Sequence, residues 1–272
     1  MLTRHEGWLR VAEVNPPELP GMDHLALADT WDHVLVTDNV FGKIRVSPYA
    51  FAARLTHDVP DVAPTVVVST RDRNILAIES EVRGALGNGV ESFLVVVGDT
   101  MPHVDHLAHH HEIVRHLTEL RSTGLPHFEV GMPSRFQRWQ FQQRVDLGAD
   151  FLVTGPVIDP ETLAPNVDCL RLTPQDPPVF VMVIPPFGPA HVERMESMGA
   201  VAVTDLFRKE LANIHPDHQR AHAWTQVHRV EVAAADAGLA GIILVGLSFQ
   251  TVTTEAPSEF LSETRRARHV AL

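Results

Sequence analysis

The feature that most constrains the fold is an alternation carried through the chain: short apolar, β-branched runs separated by longer segments with helical spacing. Eight runs read as strands, at residues 9–14, 33–37, 64–69, 92–97, 127–130, 151–154, 179–184 and 241–245. Thr65-Val66-Val67-Val68 and Phe93-Leu94-Val95-Val96-Val97 are apolar without alternating, the pattern of parallel strands covered on both faces. Helical spacing covers residues 74–86, 104–121, 134–147, 189–198 and 217–237. Gly87, Gly89, Gly124, Gly148, Gly199 and Gly238 stand where helices stop. Gly84, Gly87 and Gly89 precede a strand, the wrong order for a phosphate cradle. Eight strands with intervening helices predict a single α/β domain, a (β/α)8 barrel over residues 1–254, with a polar, Arg-rich extension over 255–272. A doubly wound sheet is the weaker reading, because no Gly-rich turn follows the first strand.

Composition narrows the partners. The 272 residues carry a net charge of −12, which repels phosphate backbones and anionic lipid and argues against nucleic acid as a ligand. The longest apolar runs fall far short of the roughly 20 residues that span a bilayer. Arg4, His5 and Glu6 interrupt any apolar leader, so a cytoplasmic protein is expected. The single Cys169 rules out a disulfide framework and a multi-cysteine zinc site, and its loop-like surroundings do not suggest a nucleophile.

In a barrel, chemistry gathers at the C-terminal ends of the strands. Those positions hold Glu13, Thr37-Asp38-Asn39, Ser69-Thr70-Arg71, Gly98-Asp99, Glu129 and Thr154-Gly155. Glu13 and Asp99, from strands one and four, either converge over the mouth as a carboxylate pair or are loop carboxylates that cap helices or bind arginines; the first is the expectation, with Thr154 facing the same mouth. His103, His106, His109, His110, His111 and His116 crowd one loop and helix. A zinc site needs ligands from several strand ends, so a solvated helix face is the better reading, as it is for His218 and His222. Trp139 and the pair Phe136 and Phe141 read as packing. Ser69 and Ser248 lack a nucleophile elbow.

These residues also carry a family resemblance. Glu13-Val14-Asn15-Pro16-Pro17 is similar to the Glu-Phe-Phe-Pro-Pro signature of methylenetetrahydrofolate reductases. Thr37-Asp38-Asn39 with Arg45-Val46-Ser47-Pro48 resembles the segment after their second strand, and Arg71-Asp72-Arg73-Asn74 their Arg-Asp-Arg-Asn turn. Gly98-Asp99 with Pro102, and Val145-Asp146-Leu147-Gly148-Ala149-Asp150 running on to Thr154 and Asp159, complete five motifs in register over residues 10–186. The resemblance implies a barrel, usually holding FAD, that uses NAD(P)H to reduce 5,10-methylenetetrahydrofolate to the 5-methyl form. It implies Glu13 as the general acid, Asp99 as the aspartate holding the pterin, and Arg144 in place of a cofactor-side lysine.

The departures from that pattern gather around the cofactors, on the flavin and nicotinamide sides, the Gln at the position of Gly155 being one that touches folate and nicotinamide in the family. A family histidine is Val67, the stretch after strand five is Glu129-Val130-Gly131-Met132-Pro133, and the Gln after Thr154 is Gly155. The expectation is therefore folate reduction by NAD(P)H with FAD weakly bound or absent. The competing classes are an accessory relative that binds folate or hands on methyl groups without reducing anything, and a metal hydrolase resting on the histidines.

Overall fold

The computed structural model describes residues 2–3, 7–18, 27, 31–71, 73–99, 109–199 and 201–247. Eight parallel strands close into one barrel in chain order. They are β1 (Leu9–Val14), β2 (His33–Val36), β3 (Ala63–Ser69), β4 (Ser92–Val96), β5 (Glu129–Pro133), β6 (Phe151–Val157), β7 (Val179–Val183) and β8 (Gly241–Leu244). β1 closes the ring by pairing with both β2 and β8. Helix α1 (Pro48–Asp58) follows β2, α2 (Ile75–Leu86) follows β3, α3 (His110–Leu120) follows β4, α4 (Arg138–Asp146) follows β5 and α5 (Leu163–Asp168) follows β6. Three helices, α6 (Pro189–Ser197), α7 (Asp205–Ala212) and α8 (Gln219–Asp236), lie between β7 and β8. The predicted barrel is the observed one. The extension over 255–272 and the residues Asp72, Pro102, His103, His106 and Ser248 lie outside the described residues.

Strand alternation sorts the side chains into two layers. Leu9, Val11, Leu35, Val67, Leu94, Phe151, Val153, Phe180 and Ile243 fill the barrel, with Phe151 and Phe180 meeting edge to face at 6.2 Å. Val34, Val66, Phe93, Val130, Leu152, Val181 and Ile242 point outward to the helices. Gly131 makes the interior possible: a Cβ there would lie 2.2 Å from the Phe151 ring.

Three helices escape the sequence pattern. α1 opens on Pro48, α5 is six residues long with a proline inside it, and α7 is eight. Segments as short as α5 and α7 give too few turns for a stripe to stand out, whereas α1, at 11 residues, is not short. The larger correction is at β5, which begins two residues later than predicted and ends at Pro133. That shift carries Glu129 from the mouth to the opposite end of the barrel.

Candidate active site

Glu13 is the penultimate residue of β1 and pairs with Leu35, an interior residue of β2, so its carboxyl points into the barrel at the mouth. It accepts a 3.4 Å hydrogen bond from the backbone N–H of Gly246, just past β8. Burial pushes its pKa from about 4.5 up to about 7; the Gly246 bond opposes the rise and the negative charge of Asp99 adds to it. Glu13 and Asp99 both stand at the C-terminal ends of their strands, close enough for the charge of one to act on the other. Asp99 is exposed, and its Oδ2 accepts the Phe41 N–H at 2.6 Å.

Around this pair the strand-end residues take supporting places. Thr37 donates its hydroxyl to Asn15 Oδ1 at 2.7 Å. Asp38 is buried in an ion pair with Arg73 and accepts from the Ser69 N–H, tying the turns after β2 and β3 together. Asn39 takes a left-handed conformation (φ 49°) and receives the Arg45 N–H on its side-chain oxygen, so it shapes the loop. Gly98, at φ 88°, has no room for a side chain, because a Cβ would fall 1.9 Å from Ser69 Oγ. Arg71 lies along this turn with Nε 3.3 Å from the Gly98 carbonyl, and it has no carboxylate partner among the described residues.

Three predicted site residues are elsewhere. Glu129, 1% exposed, opens β5 at the floor of the barrel, where its carboxylate accepts the N–H groups of Leu2 and Thr3 and the Thr3 hydroxyl. Thr154 is followed by three more strand residues and pairs with Val181, so alternation turns its side chain to the outer face beside Leu152. It is therefore not in the mouth with Glu13 and Asp99. Arg144, on α4, is buried behind the wall, where it donates to the Pro133 carbonyl and to Gln143 and meets His111 of α3.

The positions that the resemblance sets beside the flavin or the nicotinamide carry no polar side chain. Val67 packs inside the barrel, Gly131 is filled by Phe151, and Met132 is fully buried in the outer core. Gly155 is exposed at φ 99°, and a Cβ there would lie 2.9 Å from the Met182 carbonyl oxygen. None of these presents a hydrogen-bonding side chain to a flavin ring.

Other constellations resolve simply. His116 bonds Glu79 at 2.6 Å and His222 lies 3.0 Å from Gln226. His110 packs against His111, and burial, then the charges of His111, Arg144 and His109, push its pKa down to about 4. Among the described residues no group of three or more His, Cys, Asp or Glu is placed to hold a metal. No described helix is long and apolar enough to cross a membrane. Phe141 is core, whereas Trp139, read as packing, is 67% exposed. Sequence reasoning missed Gly246 and Phe41 as parts of the mouth. A glycine directly after the eighth strand, beside β1 in a closed barrel, was the available signal for the first.

The family model described as Methylenetetrahydrofolate reductase matches residues 21–256, which leaves Glu13 to rest on its own placement. No curated protein sequence matches. Among solved structures, a 2,3-dimethylmalate lyase of the PEP mutase/isocitrate lyase superfamily superposes with a TM-score of 0.55 at 13% identity, covering 98% of this chain and 82% of that one. A structure titled native KDPGal superposes at 0.49, also at 13% identity, covering 97% of this chain and 100% of that one. At that identity the first likeness speaks for the barrel alone. With most of its length matched by the family model, the chain belongs to the methylenetetrahydrofolate reductase family.

Proposed function

We propose that the protein reduces 5,10-methylenetetrahydrofolate to 5-methyltetrahydrofolate, taking hydride directly from NAD(P)H, with Glu13 as the acid. The observation that carries this reading is the Glu13 carboxyl turned into the barrel at the mouth, where desolvation raises its pKa, beside the exposed carboxylate of Asp99. An acid is most useful when its pKa lies near the working pH, and a glutamate reaches that range only when desolvated or crowded by like charge.

The chemistry balances with those groups. Glu13 gives its proton to N10 of the folate's five-membered ring, and the bond between N10 and the methylene carbon breaks with its electron pair going to N10. The resulting iminium on N5 accepts hydride from the dihydronicotinamide, giving the 5-methyl product and NAD(P)+, and Glu13 regains a proton from water. Asp99 disfavours the ionised form of Glu13 and so keeps it loaded. The lack of a hydrogen-bonding side chain at Val67, Gly131 and Met132 supports direct transfer, which requires both rings stacked in one mouth.

The test is folate-dependent loss of nicotinamide absorbance by purified protein whose visible spectrum is also recorded. A colourless protein that oxidises NAD(P)H only with the folate present is the expected result. A yellow, active protein overturns direct transfer and keeps the reductase. A protein that binds folate and oxidises nothing is the accessory relative.

A further inference from the structure

Phe41 is 70% exposed at φ 56°, a left-handed conformation that favours glycine, and Ile44 beside it is 81% exposed. Water does not favour a bare aromatic ring, and the backbone does not favour that φ for phenylalanine. The loop is nevertheless braced at both ends. Asp99 Oδ2 holds the Phe41 N–H at 2.6 Å, and Asn39 Oδ1 holds the Arg45 N–H at 3.0 Å. Between the two bonds lies Lys43, exposed and without an ion pair among the described residues. The chain has only two lysines and a net charge of −12. An aromatic ring and a free ammonium thus stand two residues apart on a loop whose Phe41 N–H is held by Asp99, at the same end of the barrel as Glu13.

From this juxtaposition we infer that the loop between β2 and α1 binds the tail of the folate, the Phe41 ring stacking on its p-aminobenzoyl group and Lys43 receiving its glutamate carboxylates. The inference rests on the proposed folate chemistry. N10, the atom that Glu13 protonates, is bonded directly to the aryl ring, so the tail leaves the reacting centre beside the acid pair. It is aromatic first and anionic after, the order in which Phe41 and Lys43 follow the Asp99 anchor. Asp99 therefore has a second task as a positioning residue, through its bond to the Phe41 N–H.

The experiment is steady-state kinetics of the full chain with monoglutamyl and triglutamyl methylenetetrahydrofolate, on the wild type and on Phe41→Ala, Phe41→Tyr and Lys43→Glu. Phe41→Ala is expected to raise KM for the folate roughly tenfold, the usual scale for a lost stacking partner, while kcat stays within about twofold and Phe41→Tyr restores KM. Lys43→Glu is expected to raise KM more for the triglutamyl than for the monoglutamyl substrate. On the wild type, p-aminobenzoyl-glutamate alone should inhibit competitively against the folate, a readout that needs no variant to fold. An active wild type with no such inhibition, or with unchanged KM in Phe41→Ala and Lys43→Glu, overturns the tail site and leaves the reductase standing. A wild type that neither binds nor reduces the folate removes the reading beneath it.

Discussion

Two glutamates sit at opposite ends of one barrel, and their surroundings separate them. Glu129 at the floor accepts three hydrogen bonds from Leu2 and Thr3 and is 1% exposed. Glu13 at the mouth has one long bond from Gly246 and a negative neighbour in Asp99. A carboxylate surrounded by donors fastens a chain segment; one desolvated, with a single long bond and a negative neighbour, holds its proton to about pH 7. The same residue type is a clamp at one end and, in the proposed mechanism, an acid at the other.

The strongest way to break this contrast is Glu13→Gln. Turnover should fall by roughly 10²–10⁴, the usual worth of a positioned acid, with the folate still bound. In the wild type kcat/KM should decline as pH rises through about 7, because the acid must be protonated, and the variant's residual rate should lose that limb. An unchanged rate would make Glu13 structural.

At the other end, Glu129→Leu strips the Leu2 and Thr3 groups of their acceptor. The Leu2 N–H is buried and left without a partner, whereas Thr3 is exposed and can turn to water, so the cost is on the order of 1–3 kcal/mol, to be read by urea unfolding. Activity of the folded fraction should be unaffected, since the floor lies a barrel's depth from the mouth. A selective loss of turnover at full stability would return Glu129 to the site.

The contrast also has a pH signature. The folded-state pKa of Glu13 is raised from 4.5 to about 7, so folded protein binds more protons than unfolded protein between those values. The stability contribution of Glu13 is therefore fully present below pH 4.5 and declines as pH rises through about 7. Glu13→Gln avoids that decline. It should be nearly neutral at the acid end and stabilising by on the order of 2 kcal/mol above neutrality. A stability difference independent of pH would remove the desolvated acid.

What the sequence made legible follows from where the signal is local. Unalternating runs such as residues 65–68 and 93–97 announce buried parallel strands, and a closed ring of eight then puts Glu13 and Asp99 at one end. Glu129 misled because its strand was placed by the apolar pair Phe128 and Val130, whereas β5 continues through Gly131, Met132 and Pro133, residues with weak strand preference. Gly131 belongs to the strand because Phe151 needs its space, a fact held in another strand. Arg144 misled for a related reason: a charge retained in the sequence does not say which side of the wall it faces. The Asp99 grip on Phe41 was illegible because it joins residues 58 apart through a backbone N–H, which no side-chain pattern records.

The smallest expected effect sharpens the mouth against the wall. Thr154 was expected beside Glu13, yet pairing with Val181 turns it outward, and its hydroxyl reaches the Phe180 carbonyl only at 3.4 Å. Thr154→Val keeps the shape and removes that long bond. Stability should change by no more than about 1 kcal/mol, the net worth of one ordinary hydrogen bond. Because nothing at the mouth is altered, kcat/KM for the folate should stay within about twofold, a factor equivalent to a few tenths of a kcal/mol of transition-state stabilisation. A tenfold loss with an unaltered melting temperature would mean that the hydroxyl reaches the substrate, and the bulge between Thr154 and Val157 would then have to turn this strand end inward one residue earlier than the pairing indicates.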